Sequence, residues 1–457
     1  MIKLSPFMLL GLLAPLFIGV AVLPAGDPPP EPQKNGKPAA KEDAKDDKEK
    51  SKEDKKKKKE EPKDRFFAIT GGTVHTVTDG ELTGVTILTK NGKIAEIAPT
   101  IELPDDCEVL DVSGYHVYPG LVAVSSSGLL GSEPPDDTTN LYSLQMTIAL
   151  AGGITTAVTG NTAARLTFGS TEDMIVKRNL FKSLSYSTSD PQARRKLRAA
   201  FDKVRQYIRD LEAFEEKKKI DPDAEEPDKE WLKGQYEGYL KLLRRETVAV
   251  FTAHSGHEIR DVCDLVGRYG FRAVIRGAAE GWTVAPVMAR AGVSALIAPR
   301  RRAPRDERVN RPSGSSIENA AILHRHGVRI AVVPPTTAIT LWGLAGRDLL
   351  QLNMDAAFAV RGGLDGDAAL RTITIDAARI LGIDHRVGSI EVGKDADFAI
   401  TDGDILHYMT STRWTVVNGK VAYDKQKDSL YNHIRPDGDL DAPPPDDYWP
   451  RRLGAEQ

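Results

Sequence analysis

The spacing of apolar residues changes several times along the chain, and each change predicts a boundary. From residue 66, F-F-A-I-T-G-G-T-V-H-T-V and then G-V-T-I-L-T-K-N-G-K-I-A-E-I set β-branched and aromatic residues in short runs parted by glycine turns. That pattern predicts a small β unit. Beyond Gly120 the apolar runs at 154–158, 247–253, 272–276, 293–297 and 328–333 read as buried strands with helical stretches between them. Alternation of this kind predicts a parallel sheet, and the stretch 119–385 is long enough for a closed eight-stranded barrel. Between 190 and 245 the spacing turns helical and highly charged, with Leu197, Phe201, Val204, Ile208 and Leu211 on one stripe. This predicts a helix with one packed face, broken by Asp221-Pro222 and Glu226-Pro227 before a second helical run at 231–243. Strand patterns return at 398–400 and 415–421, and residues 426–457 form a polar, proline-rich tail.

Composition narrows this picture. With 457 residues and 40% hydrophobic content, the chain can bury a large core. Residues 1–25 begin with Lys3, run apolar from 7 to 23 and end near small residues, which is the pattern of an export signal. An uncleaved segment of this length would serve as an N-terminal membrane anchor, although Pro15 weakens a spanning helix. Residues 26–64 are proline, lysine, aspartate and glutamate, including five lysines in a row at 55–59, and read as a disordered charged linker. The formal net charge of −3 gives no reason to expect nucleic acid as a partner. Cys107 and Cys263 stand alone, without the spacing of a disulfide framework or a thiolate metal site. An exported protein of the periplasm or cell envelope is expected.

Two segments carry a resemblance. The run V-S-G-Y-H-V-Y-P-G-L-V at 112–122 is similar to the segment that leads into the first barrel strand of amidohydrolases. At 372–400, T-I-T-I-D-A-A-R-I-L-G-I-D-H-R-V-G-S-I-E-V-G-K-D-A-D-F-A-I, with V-V-N-G-K-V at 416–421, looks like the last barrel helix and return strands of that superfamily. A-G-G-I-T-T-A at 151–157 adds to it, and the chain resembles the imidazolonepropionase-like branch. The resemblance implies an α/β fold: a TIM-like (β/α)8 barrel at 119–385, plus a small β-sandwich built from N-terminal strands (65–118) and C-terminal strands (386–425).

It also implies a metal centre that generates hydroxide and polarises a scissile carbonyl, held by imidazoles and carboxylates. The positions that match the family's ligands read otherwise here. After P-G-L come Ala123, Ser125 and Ser127 where a His-x-His pair and a preceding aspartate are expected. The fifth-strand histidine aligns with Thr252, the next histidine with Arg276, and the eighth-strand aspartate, ligand and general base, with Pro335. Hydroxyls are poor zinc donors, a guanidinium repels a cation, and proline offers no donor. His254, two residues beyond Thr252 and on the same side of the strand, is the remaining candidate ligand. No metal cofactor is therefore expected, and zinc only if the chain is an active hydrolase with a non-standard site.

Ser125 and Ser127 lack a G-x-S-x-G elbow, and His257 and Glu258 read as an exposed helix start beside His254. The loop 299–312, P-R-R-R-A-P-R-D-E-R-V-N-R-P, holds six arginines against two acids. With Arg276 it offers Arg300, Arg301 and Arg302, together with His254, as ligand-binding candidates for a carboxylate or phosphate; the alternative is a flexible loop paired with acids elsewhere. The sequence thus predicts a non-catalytic barrel that binds an anionic small molecule or pairs with an active paralogue or with itself. Two alternatives stay open: an active hydrolase of carbon-nitrogen, non-peptide bonds, and a structural envelope interaction protein.

Overall fold

The computed structural model describes residues 64–340 and 348–428, all within the unit Lys63–Gln457. The expected export segment, nearly all of the charged linker, and the tail from residue 429 lie outside the described residues. No helix among the described residues is long and apolar enough to cross a membrane.

The chain opens with seven short strands: β1 (Phe66–Thr70), β2 (Thr73–His75), β3 (Glu81–Leu82), β4 (Thr86–Lys90), β5 (Lys93–Ala98), β6 (Glu108–Asp111) and β7 (His116–Pro119). One sheet runs β5-β4-β1-β6. The β4–β5 hairpin turns on Asn91-Gly92, both at positive φ, so that Lys90 pairs Lys93 across a two-residue loop. This is the Asn-Gly turn that matches strand twist. A Cβ at Gly92 would collide with the Asn418 side chain, because a second Asn-Gly turn near the C-terminus packs against the first.

The barrel region contributes β8 (Leu121–Ala123), β9 (Ile154–Thr159), β10 (Thr162–Arg165), β11 (Ile175–Lys177), β12 (Phe181–Leu184), β13 (Val248–Ala253), β14 (Ala273–Gly277), β15 (Ser294–Ile297) and β16 (Ile330–Val332). Its helices are α1 (Pro135–Thr138), α2 (Leu144–Ala151), α3 (Pro191–Lys218), α4 (Gln235–Leu243), α5 (Gly256–Tyr269), α6 (Ala285–Ala291), α7 (Asn319–Arg325), α8 (Leu352–Arg361), α9 (Gly366–Thr372) and α10 (Ile375–Leu381). Three strands follow: β17 (Phe398–Thr401), β18 (Thr412–Val417) and β19 (Lys420–Asp424). They join the N-terminal strands in a sheet ordered β19-β18-β17-β7-β2-β3. Phe67, Ile69, Ile87 and Ile94 of the first sheet pack on Val117, Phe398, Ile400 and Val416 of the second. The two ends of the described chain thereby share one core.

The TIM-like barrel differs from eight uniform βα repeats. Strands β12 to β16 form one all-parallel sheet, whereas β8 and β9 are parallel but β9, β10 and β11 run antiparallel. The cause is local: only Gly160 and Asn161 separate β9 from β10, and a two-residue link cannot return a strand in parallel. Ser127 and Ala338 form a parallel bridge, with Ser127 N–H donating to Thr337 O at 3.0 Å, and so tie the end of the first barrel strand to the segment after the last.

Alternation along the parallel strands makes two apolar layers. Val122, Val124, Val248, Val250, Val274, Leu296 and Ala331 form an inner cluster with Ala377, Ala378, Ile380 and Leu381 of α10. Ala249, Phe251, Ala273, Ile275, Ala295, Ile297 and Ile330 face the outer helices. In α3, Leu197, Phe201, Val204 and Tyr207 are buried, while Ile208 and Leu211 are half-buried; the expected stripe is present, with Tyr207 on it.

Candidate functional site

The inner row continues past the apolar cluster at the C-terminal strand ends, and there its chemistry changes. On β13 the row reads Val248, Val250, Thr252; on β14 it reads Val274, Arg276. Thr252 and Arg276 are direct partners across the ladder, and Arg276 is in turn paired with Leu296 of β15. A guanidinium thus stands between a hydroxyl and an aliphatic side chain, about 5 Å from each strand neighbour. Active sites of this fold occupy that end of the barrel.

A cavity of about 550 Å³ opens there, lined among others by Ser125, Thr252, His254, Arg276, Arg301, Arg302 and Pro335. The structure therefore brings together seven of the nine residues singled out in sequence. The other two lie aside. Ser127 is not among the lining residues and sits 3.2 Å from Thr337 Oγ1, while Arg300 turns from the cavity toward α8. There it lies 3.9 Å from Asp355 and over the Phe358 ring. Asp355 is fully buried, and neither carboxylate oxygen has a hydrogen bond. Burial pushes its carboxyl up to about 7, with Arg300 opposing the rise.

The Arg276 side chain is exposed into the cavity and, among the described residues, makes no hydrogen bond or ion pair. The same holds for the side chains of Arg301 and Arg302. Among the described residues, no aspartate or glutamate lines the cavity. The other loop arginines are partly committed: Arg308 makes a bidentate pair with Asp306 at 2.9 and 3.0 Å, and Arg311 meets Glu280 at 2.8 Å. The loop is thus neither wholly paired nor wholly free.

Glu280, to which sequence reading assigned no role, organises three loops. It accepts hydrogen bonds at 2.8 Å from the Gly256 N–H at the start of α5, from the Gly314 N–H beyond the arginine loop, and from Arg311. Burial opposes ionisation, but these donors hold the carboxyl below its ordinary range. Sequence reading also missed Ser315, Ser316, Asn319 and Thr337, which line the cavity without any local motif to mark them.

His254 lies just past β13, its ring packed over Gly277. Gly277 has φ of 104°, and a Cβ there would run into that ring, so only glycine lets His254 lie flat against the strand end. His257 is exposed on α5. Glu258 reaches back to the N–H groups of His254 and Ser255 at 3.1 and 3.0 Å, forming the carboxylate half of a capping box.

Divalent ions are held by imidazole, thiolate or carboxylate. Among the described residues, His254 is the one cavity side chain of that set, and no three His, Cys, Asp or Glu side chains are grouped as a metal would need. Arg276 adds a fixed positive charge. These residues do not fit the metal centre that the resemblance implies.

Comparison with known proteins places the chain. The amidohydrolase family matches residues 247–434. Imidazolonepropionase from Sphingopyxis alaskensis is 39% identical over 87 residues, 18% of this chain and 19% of that protein. Imidazolonepropionase from Shewanella frigidimarina is 54% identical over 54 residues, 12% of each. The alignments thus span about a fifth or less of the relatives' length. The structure of an amidohydrolase from Thermotoga maritima superposes with a TM-score of 0.59 at 22% identity, covering 79% of this chain and 100% of that one, which establishes the fold. The matching family segment, the imidazolonepropionase relatives and the barrel-plus-sandwich fold agree with one another and support the amidohydrolase superfamily.

Proposed function

We propose that this protein is a metal-free, non-catalytic amidohydrolase-fold protein, exported to the periplasm or cell envelope, whose barrel-end cavity binds an anionic small molecule. The observation that carries the reading is Arg276: a guanidinium at the strand ends, open to a cavity that has no acidic side chain among the described residues, and with no side-chain partner among them. A cation so placed attracts an anion, and its planar fork suits a carboxylate or phosphate. Thr252 beside it supplies a hydroxyl donor. The test is thermal stabilisation of the purified protein by short carboxylates and by inorganic phosphate, against neutral alcohols of the same size. Stabilisation by anions that disappears in Arg276→Ala supports the reading; equal response of wild type and variant overturns it.

The second reading is hydrolysis of a carbon-nitrogen, non-peptide bond, and the name of the imidazolonepropionase relatives favours it. In that case His254 is the imidazole available to a metal or to proton transfer. Turnover of cyclic amides that requires added zinc and is lost in His254→Ala would establish it in place of the first.

A further inference from the structure

We propose that the ligand is an organic anion with two charged ends, one held by Arg276 and Thr252 at the barrel strands and the other by Arg301 and Arg302 at the rim, with an aliphatic body between them. This rests on the reading of the cavity as an anion site and adds what kind of anion it takes.

The cations come from two separate places in the fold. Arg276 ends a strand and continues the inward row of the barrel. Arg301 and Arg302 lie on the loop after β15. That loop is anchored. Arg300 is drawn to Asp355 and Phe358, the Ala303 N–H donates to Ser315 Oγ at 2.9 Å, and the Ser315 N–H donates to Ala303 O at 3.0 Å. These contacts on both sides of Arg301 and Arg302 hold their backbone beside the cavity. Their side chains have no acid to pair with among the described residues, so the rim carries positive charge that the protein leaves unbalanced. An anionic group on a ligand would balance it.

Size and lining suit an occupant larger than a bare inorganic ion. One water occupies roughly 30 Å³ of liquid, and a small oxyanion only a few times that. The cavity is about 550 Å³. Leu296, Ile297, Ile317, Ala320, Val333 and Pro334 supply an apolar wall that matches methylene groups and offers a second ion nothing. An α,ω-dicarboxylate is the simplest molecule with these properties.

Isothermal titration of the full chain with alkanoates and the matching α,ω-dicarboxylates of four to ten carbons tests this. In wild type, at the best chain length, the diacid should bind about tenfold tighter than the monoacid, the gain expected from one more charge-assisted contact. In Arg301→Ala/Arg302→Ala, whose altered side chains are exposed, that preference should fall to about the twofold statistical factor of a symmetric ligand. Monoacid binding should persist in that variant and disappear in Arg276→Ala. Equal binding of mono- and diacid by wild type overturns the second pole while leaving the anion site intact, as does a diacid preference that survives in the double variant. Failure of every carboxylate, together with no anion response in the thermal test, overturns the underlying reading as well.

Discussion

Glu280 accepts a 2.8 Å hydrogen bond from Arg311, and through its two other bonds to Gly256 and Gly314 it fastens the arginine loop to the barrel. A Gln at this position presents an amide NH2 where one of these donors now points. One buried donor is left unsatisfied and one charge-assisted pair is lost, at a cost of about 2 to 4 kcal/mol. Because the folded carboxyl ionises below its ordinary range, its contribution is fully present above about pH 4.5 and is lost as pH falls through the folded value. Urea unfolding of Glu280→Gln should therefore show a deficit at pH 7 that shrinks toward pH 3. A deficit independent of pH would mean that the carboxylate charge plays no part.

Asp355 works with the opposite sign. Its folded carboxyl titrates near 7 because burial disfavours the charge more than Arg300 favours it. Between about pH 4 and 7 the folded state holds a proton that the unfolded chain has released, so stability falls as pH rises through that window and levels off above it. Asp355→Asn removes this cost. The variant should match wild type near pH 4 and exceed it at pH 8, by on the order of 3 kcal/mol. Thermal melts at the two pH values check this; lower stability of the variant at pH 8 would mean that the Arg300 pair outweighs desolvation.

Sequence and structure part company where long-range partners decide the outcome. The strands around 248–253, 273–277, 294–297 and 330–332 were legible because each is a short, mainly apolar run, and their inward alternation carries Thr252 and Arg276 to the site. The β10–β11 hairpin was not legible, since a short T-A-A-R strand ending in arginine has no apolar signature. The fate of the six loop arginines was equally hidden. Arg300, Arg301 and Arg302 are adjacent in sequence, yet a carboxylate 55 positions further on takes the first and leaves the others at the cavity. Glu280 carried no signal in sequence, because its two glycine partners lie 24 and 34 residues away.

Arg165 shows how much such a hidden partner set can matter. It is fully buried and lies between Asp173, at 2.5 Å, and the pair Asp397 and Asp395, at 3.4 and 3.6 Å. Through them β10 of the barrel is tied to the segment entering β17 of the sandwich. Burial already pushes Asp397 up to about 6. Replacing Arg165 by Met leaves Asp397 buried without its main counter-charge, while Asp395 and Asp173 keep Arg386; losing one partner of a buried pair costs about 3 to 5 kcal/mol. The urea midpoint of Arg165→Met should drop accordingly, and Asp397→Asn in the same chain should restore part of it. No recovery would point to lost packing of the side chain instead of lost charge compensation.

Metal content provides the most direct check on the donor chemistry of the cavity. Ser125 and Thr252 offer neutral hydroxyls, Pro335 offers none, and Arg276 brings a positive charge that at 4 Å opposes a second cation by a few kcal/mol at surface-like dielectric. His254 alone supplies about one ligand of the three or four that a zinc site uses. Purified protein incubated with zinc and with manganese, then freed of excess ion, should carry well below one equivalent of either by elemental mass spectrometry. Replacing Arg276 by His adds an imidazole, removes the charge and places the new ring one strand away from Thr252 and near His254. This variant should bind zinc more tightly than wild type while losing the response to carboxylates. Stoichiometric metal in wild type that disappears in His254→Ala would reverse the assignment and make the hydrolase reading the one to pursue.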